Sequence, residues 1–250
     1  MSLKRIMPCL LIKDKRLVKT VNFSNPQYVG DPINAVKIYN AKEVDELVVL
    51  DIKASKANTK IDFDLIQDFA SECFMPLAYG GGVKHIDEFK RLFGLGVEKV
   101  IVNTLLFEDP ETVKLASKRF GGQSIVASID VKKDEHGNYV IFSHSGRNYN
   151  GSLKEFIDYA LSLNVGEIII TSVNQEGTWL GYDMELIKYV DSIVDIPIIA
   201  NGGCGTNEDL INVLYDANVQ AASVGSMAVY QKKGMGVLIR FPKRHQIIRE

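Results

Sequence analysis

Two hundred and fifty residues, 46% hydrophobic and 24% charged, are an ordinary folded composition that excludes a disordered, collagen-like or disulfide-dense chain. Lys and Arg number 29 against 31 Asp and Glu, and the net charge of −2 argues against a strongly basic nucleic-acid binder. No apolar run approaches the roughly 18 residues of a membrane-spanning helix, so no membrane segment is expected.

Lys4 and Arg5 ahead of the apolar stretch 6–12 imitate a signal peptide. Lys13, Asp14 and Lys15 follow at once with no small-residue cleavage site, so the stretch is predicted to be a buried first strand. A long loop follows, and then Asp31 before Pro32 supplies an N-cap and a proline at the first helical position. Further strands are predicted at 46–51, 76–79, 99–102, 124–130, 167–171, 197–200 and 220–224. Each is short, non-alternating and aliphatic, as parallel strands covered on both faces are. Between them, Ile86, Phe89, Leu92 and Phe93 make an apolar helical stripe that should stop near Gly96. Asp109 before Pro110 repeats the first start signal. Ser152 with Glu155, and Thr206 with Asp209, place a capping side chain three residues before an acid.

Eight strand-then-helix units in this length predict a single (β/α)8 TIM barrel of class α/β, one domain over residues 1–250. A doubly wound open sheet is the rival, but it more usually has fewer strands, and no G-x-G-x-x-G follows the first strand. Cys9, Cys73 and Cys204 are scattered without CxxC spacing, which suits free thiols in a reducing, cytoplasmic setting. The four His stand at no metal-ligand spacing, so neither a metal nor another cofactor is expected.

The two halves of the chain resemble each other. Residues 76–83 read PLAYGGGV and 197–204 read PIIANGGC, an offset of 121. Residues 96–104 read GVEKVIVNT and 218–226 read NVQAASVGS, an offset of 122. Such a spacing predicts duplicated half-barrels, about 1–121 and 122–250. Gly-rich turns after strands three and seven, with Asn103 and Thr104 after strand four and Gly225 and Ser226 after strand eight, then form two related sites. Successive backbone N–H groups in such turns cradle phosphates, so a ligand with a phosphate at each end is expected. Asp130 ends strand five at the rim where barrel enzymes keep their chemistry, and its twofold mate near the end of strand one is Leu11.

The chain resembles the HisF family, the cyclase subunits of imidazole glycerol phosphate synthase. KRIMPCLLIKD at 4–14, DELVVLDIKAS at 45–55, YGGGV at 79–83 and EKVIVNT at 98–104 carry the resemblance in the first half. ASID at 127–130, GEIIITS at 166–172, GTWLGYD at 177–183, PIIANGGCG at 197–205 and VGSMAV at 224–229 carry it in the second. The resemblance implies a half-barrel-built (β/α)8 fold and a HisH-like glutaminase partner at the barrel bottom. It further implies ammonia passing through the barrel to a doubly phosphorylated ribulosyl aminoimidazole carboxamide at the top. By the same resemblance Gly82, Asn103 and Thr104 match one phosphate site, and Gly177, Gly203, Gly225 and Ser226 the other. Lys19 matches a loop that closes over substrate, and Asp130 matches one of two catalytic aspartates. Arg5, Glu46, Lys99 and Glu167 match a charged gate for ammonia; without the family, a salt-bridged ring that stabilises the bottom face is the plain reading.

The other catalytic aspartate of the family corresponds to Leu11. Lys15, Lys53, Asn174, Glu176 and Asn201 also depart from the family pattern, all at the top. This split is similar to that of HisF-like paralogues encoded with surface-polysaccharide or flagellin sugar genes. There the barrel delivers ammonia to a separate sugar amidotransferase that turns an N-acetyl group into an acetamidino group. The histidine-pathway cyclase, a non-catalytic phosphate-binding scaffold and the preceding sugar isomerase of that pathway are the competing readings. Trp179 is expected to stack on a base or to cover a neighbouring loop, His85 to lie in a first helical turn, and His136 to sit in a hairpin turn. The basic run Lys243, Arg244, His245 is too short to argue for nucleic acid.

Overall fold

The computed structural model describes residues 4–54, 59–143, 146 and 149–249. Strands β1 (Arg5–Lys13), β2 (Arg16–Val21), β3 (Ser24–Gly30), β4 (Leu47–Asp51), β5 (Leu77–Gly80) and β6 (Lys99–Val102) form the first half of one sheet. Strands β7 (Ile125–Lys133), β8 (Tyr139–Phe142), β9 (Glu167–Ser172), β10 (Ile198–Asn201) and β11 (Ala221–Val224) form the second. β1, β4, β5, β6, β7, β9, β10 and β11 run parallel in that order. β11 pairs back to β1, from Arg5 opposite Ala221 to Pro8 opposite Val224, and this closes a (β/α)8 barrel.

Alternation along the strands sorts the side chains into two cores. In β1, Met7 and Cys9 point into the barrel, while Ile6, Leu10 and Ile12 face the surrounding helices. Met7, Val48, Ala78, Ile101, Val126, Ile169, Ile199 and Ala221 fill the middle of the barrel. The larger core outside it takes the apolar faces of the helices, including the fully buried Phe69, Phe89 and Phe156. With both faces covered, the strands carry no polar alternation, which is why they read as continuous aliphatic runs.

The helix signals act as expected. Asp31, Asp109, Ser152 and Thr206 each accept a backbone N–H of the first turn of the helices Pro32–Ala41, Pro110–Phe120, Leu153–Ser162 and Asn207–Ile211. Helix Ile86–Gly94 ends before Gly96, whose φ of +99° is one a side chain would strain.

Three expectations are corrected. The long loop expected after the first strand is a hairpin, β2–β3, paired antiparallel to β1. Lys19 therefore sits on a strand. Strand five does not end at Asp130: pairing with β8 carries β7 on to Lys133. The predicted starts at 46, 76, 124, 197 and 220 fall one residue early, and at Pro76 and Pro197 the missing N–H explains it.

Candidate functional site

The bottom of the barrel is closed by charge. Arg5 opens β1, Lys99 opens β6, Glu167 opens β9, and Glu46 directly precedes β4. Arg5 donates to Glu46 Oε2 at 2.6 Å and to Glu167 Oε1 at 2.7 Å. Lys99 Nζ meets Glu46 Oε2 at 3.0 Å and Glu167 Oε2 at 2.9 Å. Each carboxylate thus serves both cations, in an alternating ring of net charge zero. Both acids are buried. Burial pulls the Arg5 pKa down, but Glu167 and Glu46 outweigh it and hold the guanidinium above its ordinary value. The tail residue Arg244 is held at the same end, on the Asp45 carboxylate at 2.5 Å and on the Lys4 carbonyl at 3.0 Å.

At the other end a cavity of about 160 Å³ opens over the strand C-termini. It brings together Leu11, Lys19, Gly82, Asn103, Thr104, Asp130, Gly177, Gly203, Gly225 and Ser226, and of the departures predicted for the top it takes in Glu176 and Asn201 but not Lys15, Lys53 or Asn174. The glycines are required by space as well as by φ. A Cβ on Gly82 would lie 2.8 Å from the Ala54 Cβ, and one on Gly203 would lie 2.0 Å from the Gly181 carbonyl oxygen. Asn103 and Gly225 each precede a short helix, Thr104–Glu108 and Ser226–Val229, so backbone N–H groups turn toward the cavity at two matched places.

Asp130 is buried on β7 and accepts from Asn103 Nδ2 at 3.2 Å. The same Asn103 amide donates to the Ser128 carbonyl at 2.9 Å. Its Oδ1 is buried with no hydrogen-bond partner among the described residues, which leaves an acceptor for a ligand donor. Leu11 and Leu50 pack against the barrel's inner core, and on this side of the cavity the carboxylate that lines it is Asp51, at the end of β4, whose Oδ1 accepts the N–H groups of Lys53 and Ala54. Asp14 does not replace the second acid of the family pattern: it stands at φ +51° on the β1–β2 turn, ion-paired with Lys53.

Lys19 is buried, with its Nζ donating to the Cys9 carbonyl at 2.5 Å. Burial lowers its pKa, and the Glu176 carboxylate acts in the opposite sense. Trp179 stands at φ +66°, half-buried against the outer core, and its backbone lies against Gly205, where a Cβ would come 2.8 Å from the Trp179 carbonyl oxygen. His85 is the exposed N-cap of its helix, and His136 lies in the β7–β8 turn, where its N–H is bound by Asp134.

Sequence reasoning singled out Glu176 as a departure but not for what it touches. Its carboxylate accepts from Thr20 Oγ1 and from the Phe23 N–H, both at 2.9 Å. Thr171 and Ser223 also line the cavity, and only the inward phase of β9 and β11 could have marked them.

Comparison with known proteins agrees with this architecture. The family described as "Histidine biosynthesis protein" matches residues 5–234. A protein of Pseudomonas aeruginosa, provisionally named imidazole glycerol phosphate synthase subunit hisF2, is 44% identical over 240 residues, 96% of each chain. A provisionally named HisF subunit of Leptospira interrogans is 41% identical over 96% of this chain and 95% of its own. The imidazole glycerol phosphate synthase subunit HisF of Lactococcus lactis is 39% identical over 92% of this chain and 90% of its own. A barrel with two matched glycine turns at its top and similarity of this extent to HisF subunits place the chain in the HisF family.

Proposed function

We propose that this chain is the ammonia-receiving barrel of a glutamine amidotransferase. A HisH-like glutaminase seats on the bottom face, and ammonia enters through the ring of Arg5, Glu46, Lys99 and Glu167. The apolar barrel interior conducts it to the mouth at Asp130. In this reading the product ammonia serves a separate sugar amidotransferase that makes an acetamidino group, rather than ring closure inside the barrel.

The observation that carries the reading is Leu11. General acid–base ring closure needs a proton taken at one point and given at another. Asp130 is one such group, and the matching position on β1 is the aliphatic Leu11, in register with Leu50 of β4. Loss of a positioned acid or base typically slows a reaction by about 10² to 10⁴. The intact ring at the other end supports retained ammonia transfer: two buried acids at the strand starts are each met by both partly buried cations, so the set is complete and fully paired.

The second reading is the cyclase of imidazole glycerol phosphate synthase. Asp130, Lys19 and both glycine cradles favour it, since they meet in one cavity. Ammonium-driven turnover of the doubly phosphorylated ribulosyl aminoimidazole carboxamide separates the two, because it needs no glutaminase. We expect no turnover by the natural chain and measurable turnover by Leu11→Asp. Turnover of the natural chain at ordinary enzyme rates, about 1 to 10³ per second, would sink the amidation reading. A non-catalytic scaffold predicts instead that blocking the ring, for instance with Glu46→Trp, leaves glutamine-driven product formation in the assembled system unchanged.

A further inference from the structure

We propose that Glu176 is a positioning residue that latches the β2–β3 hairpin over the barrel mouth and thereby holds the Lys19 ammonium at the Gly225 cradle, against the anionic group of a bound ligand. The proposal rests on reading the cavity as a phosphate site. Glu176 grips the strand on the C-terminal side of Lys19 at three points. Its carboxylate takes Thr20 Oγ1 and the Phe23 N–H, both at 2.9 Å, and its carbonyl takes the Asn22 N–H at 2.9 Å. The Asn22 side chain adds bonds to the carbonyls of Val173, at 2.9 Å, and Asn174, at 2.8 Å. The next residue, Gly177, leaves the hairpin room to come down: a Cβ there would lie 2.2 Å from the Thr20 carbonyl oxygen.

The other end of the hairpin is tied to β1 by a ladder that stops at Val18, opposite Leu11, one residue short of Lys19. Lys53 pairs with Asp14, and Lys15 pairs with Asp62 at 2.6 Å, but three of these four groups are more than two-fifths exposed. Exposed pairs contribute little, so the half-buried carboxylate of Glu176, bound to a backbone N–H and a hydroxyl, carries the latch. With the latch made, Lys19 Nζ stands 3.3 Å from the point a Cβ on Gly225 would occupy. An ammonium has three donors, and the Cys9 carbonyl uses one. The hairpin plays no part in closing the barrel, since β1 already pairs with β4 and β11. Losing the latch therefore leaves the barrel standing and moves Lys19.

The test compares the natural chain with Glu176→Ala and Glu176→Gln, the latter keeping one accepting oxygen at the same reach. Reductive methylation with formaldehyde and borane, read at Lys19 by mass spectrometry, reports release of the amine. Calorimetric titration with inorganic phosphate, repeated in a Lys19→Met background, reports whether Glu176 acts through Lys19. We expect methylation of Lys19 to be about tenfold faster in Glu176→Ala, the effect of losing a charge-assisted bond, and intermediate in Glu176→Gln. Phosphate affinity should fall several-fold in Glu176→Ala and fall no further when that change is added to Lys19→Met. Lys19 as slow to methylate in Glu176→Ala as in the natural chain would overturn the latch, and equal losses of phosphate affinity in both backgrounds would overturn action through Lys19. Phosphate binding by no variant would overturn the phosphate reading of the cavity, while the methylation rates still decide the latch.

Discussion

Single residues set the chemistry at both ends of the barrel. Lys99 holds Glu46 and Glu167 together, so Lys99→Met should leave two buried carboxylates facing one another across Arg5. We expect a loss of about 3–5 kcal/mol, the usual cost of breaking a buried pair from one side, measured as a lower urea midpoint at neutral pH. Cys204 gives a pH-dependent counterpart. Burial pushes its thiol from 9.0 up to about 12. The folded state keeps this proton where the unfolded chain releases it, so the contribution is intact below about pH 9 and is lost as pH rises toward about 12. The urea midpoint should decline over that window by more in the natural chain than in Cys204→Ala. An equal decline in both would show that Cys204 carries none of it.

At the scale of elements, local rules fixed more than long-range ones. Ser152 accepts the Glu155 N–H, and Glu155 reaches back to the Ser152 N–H at 2.7 Å, so helix Leu153–Ser162 begins where its sequence says. Ser152→Ala should cost about 0.5–2 kcal/mol, visible as a lower Tm with the fold unchanged. Caps of this kind are legible because both partners lie within four residues. Aliphatic runs are legible because burial on two faces leaves nothing polar to interrupt them. The β2–β3 hairpin was not legible: its second strand carries Asn25 and Pro26 and is almost wholly exposed, so it has the composition of a loop. Its strand character comes from β1 and from Glu176, some 150 residues distant in sequence. The site shows the same division. The glycine cradles and the bottom ring could be picked out by position along the chain. The orphaned Asn103 oxygen and the burial of Lys19 depend on neighbours from other strands.

For the whole molecule, the two ends of the barrel present different surfaces. Phe74 is 86% exposed and lies just before β5, on the end that carries the charged ring. Its N–H is pinned by Asn40 Oδ1 at 3.0 Å, so the ring is presented on a fixed backbone. A protruding aromatic of this kind is a usual interface anchor. If the bottom face receives the glutaminase, Phe74→Ala should weaken that complex by about tenfold or more in calorimetry, with the melting temperature of the free barrel unchanged. We further propose that the two halves arose by duplication: β1 and β7 are both nine residues long, and both run on into an antiparallel hairpin.

Those paired hairpins also decide where this sheet can grow. A closed barrel has no free edge, because every parallel strand has two neighbours. Among the described strands only β3 and β8 are bonded on one side alone, and both overhang the mouth. Another chain seeking to extend the sheet by strand addition finds its template at the top and none at the bottom. The natural sequence blunts both places: Pro26 removes a donor from β3, and β8 is only four residues long. Replacing Pro26 with a β-former such as Val would restore that donor, and self-association would then begin at the mouth of the barrel, with the charged floor left facing water.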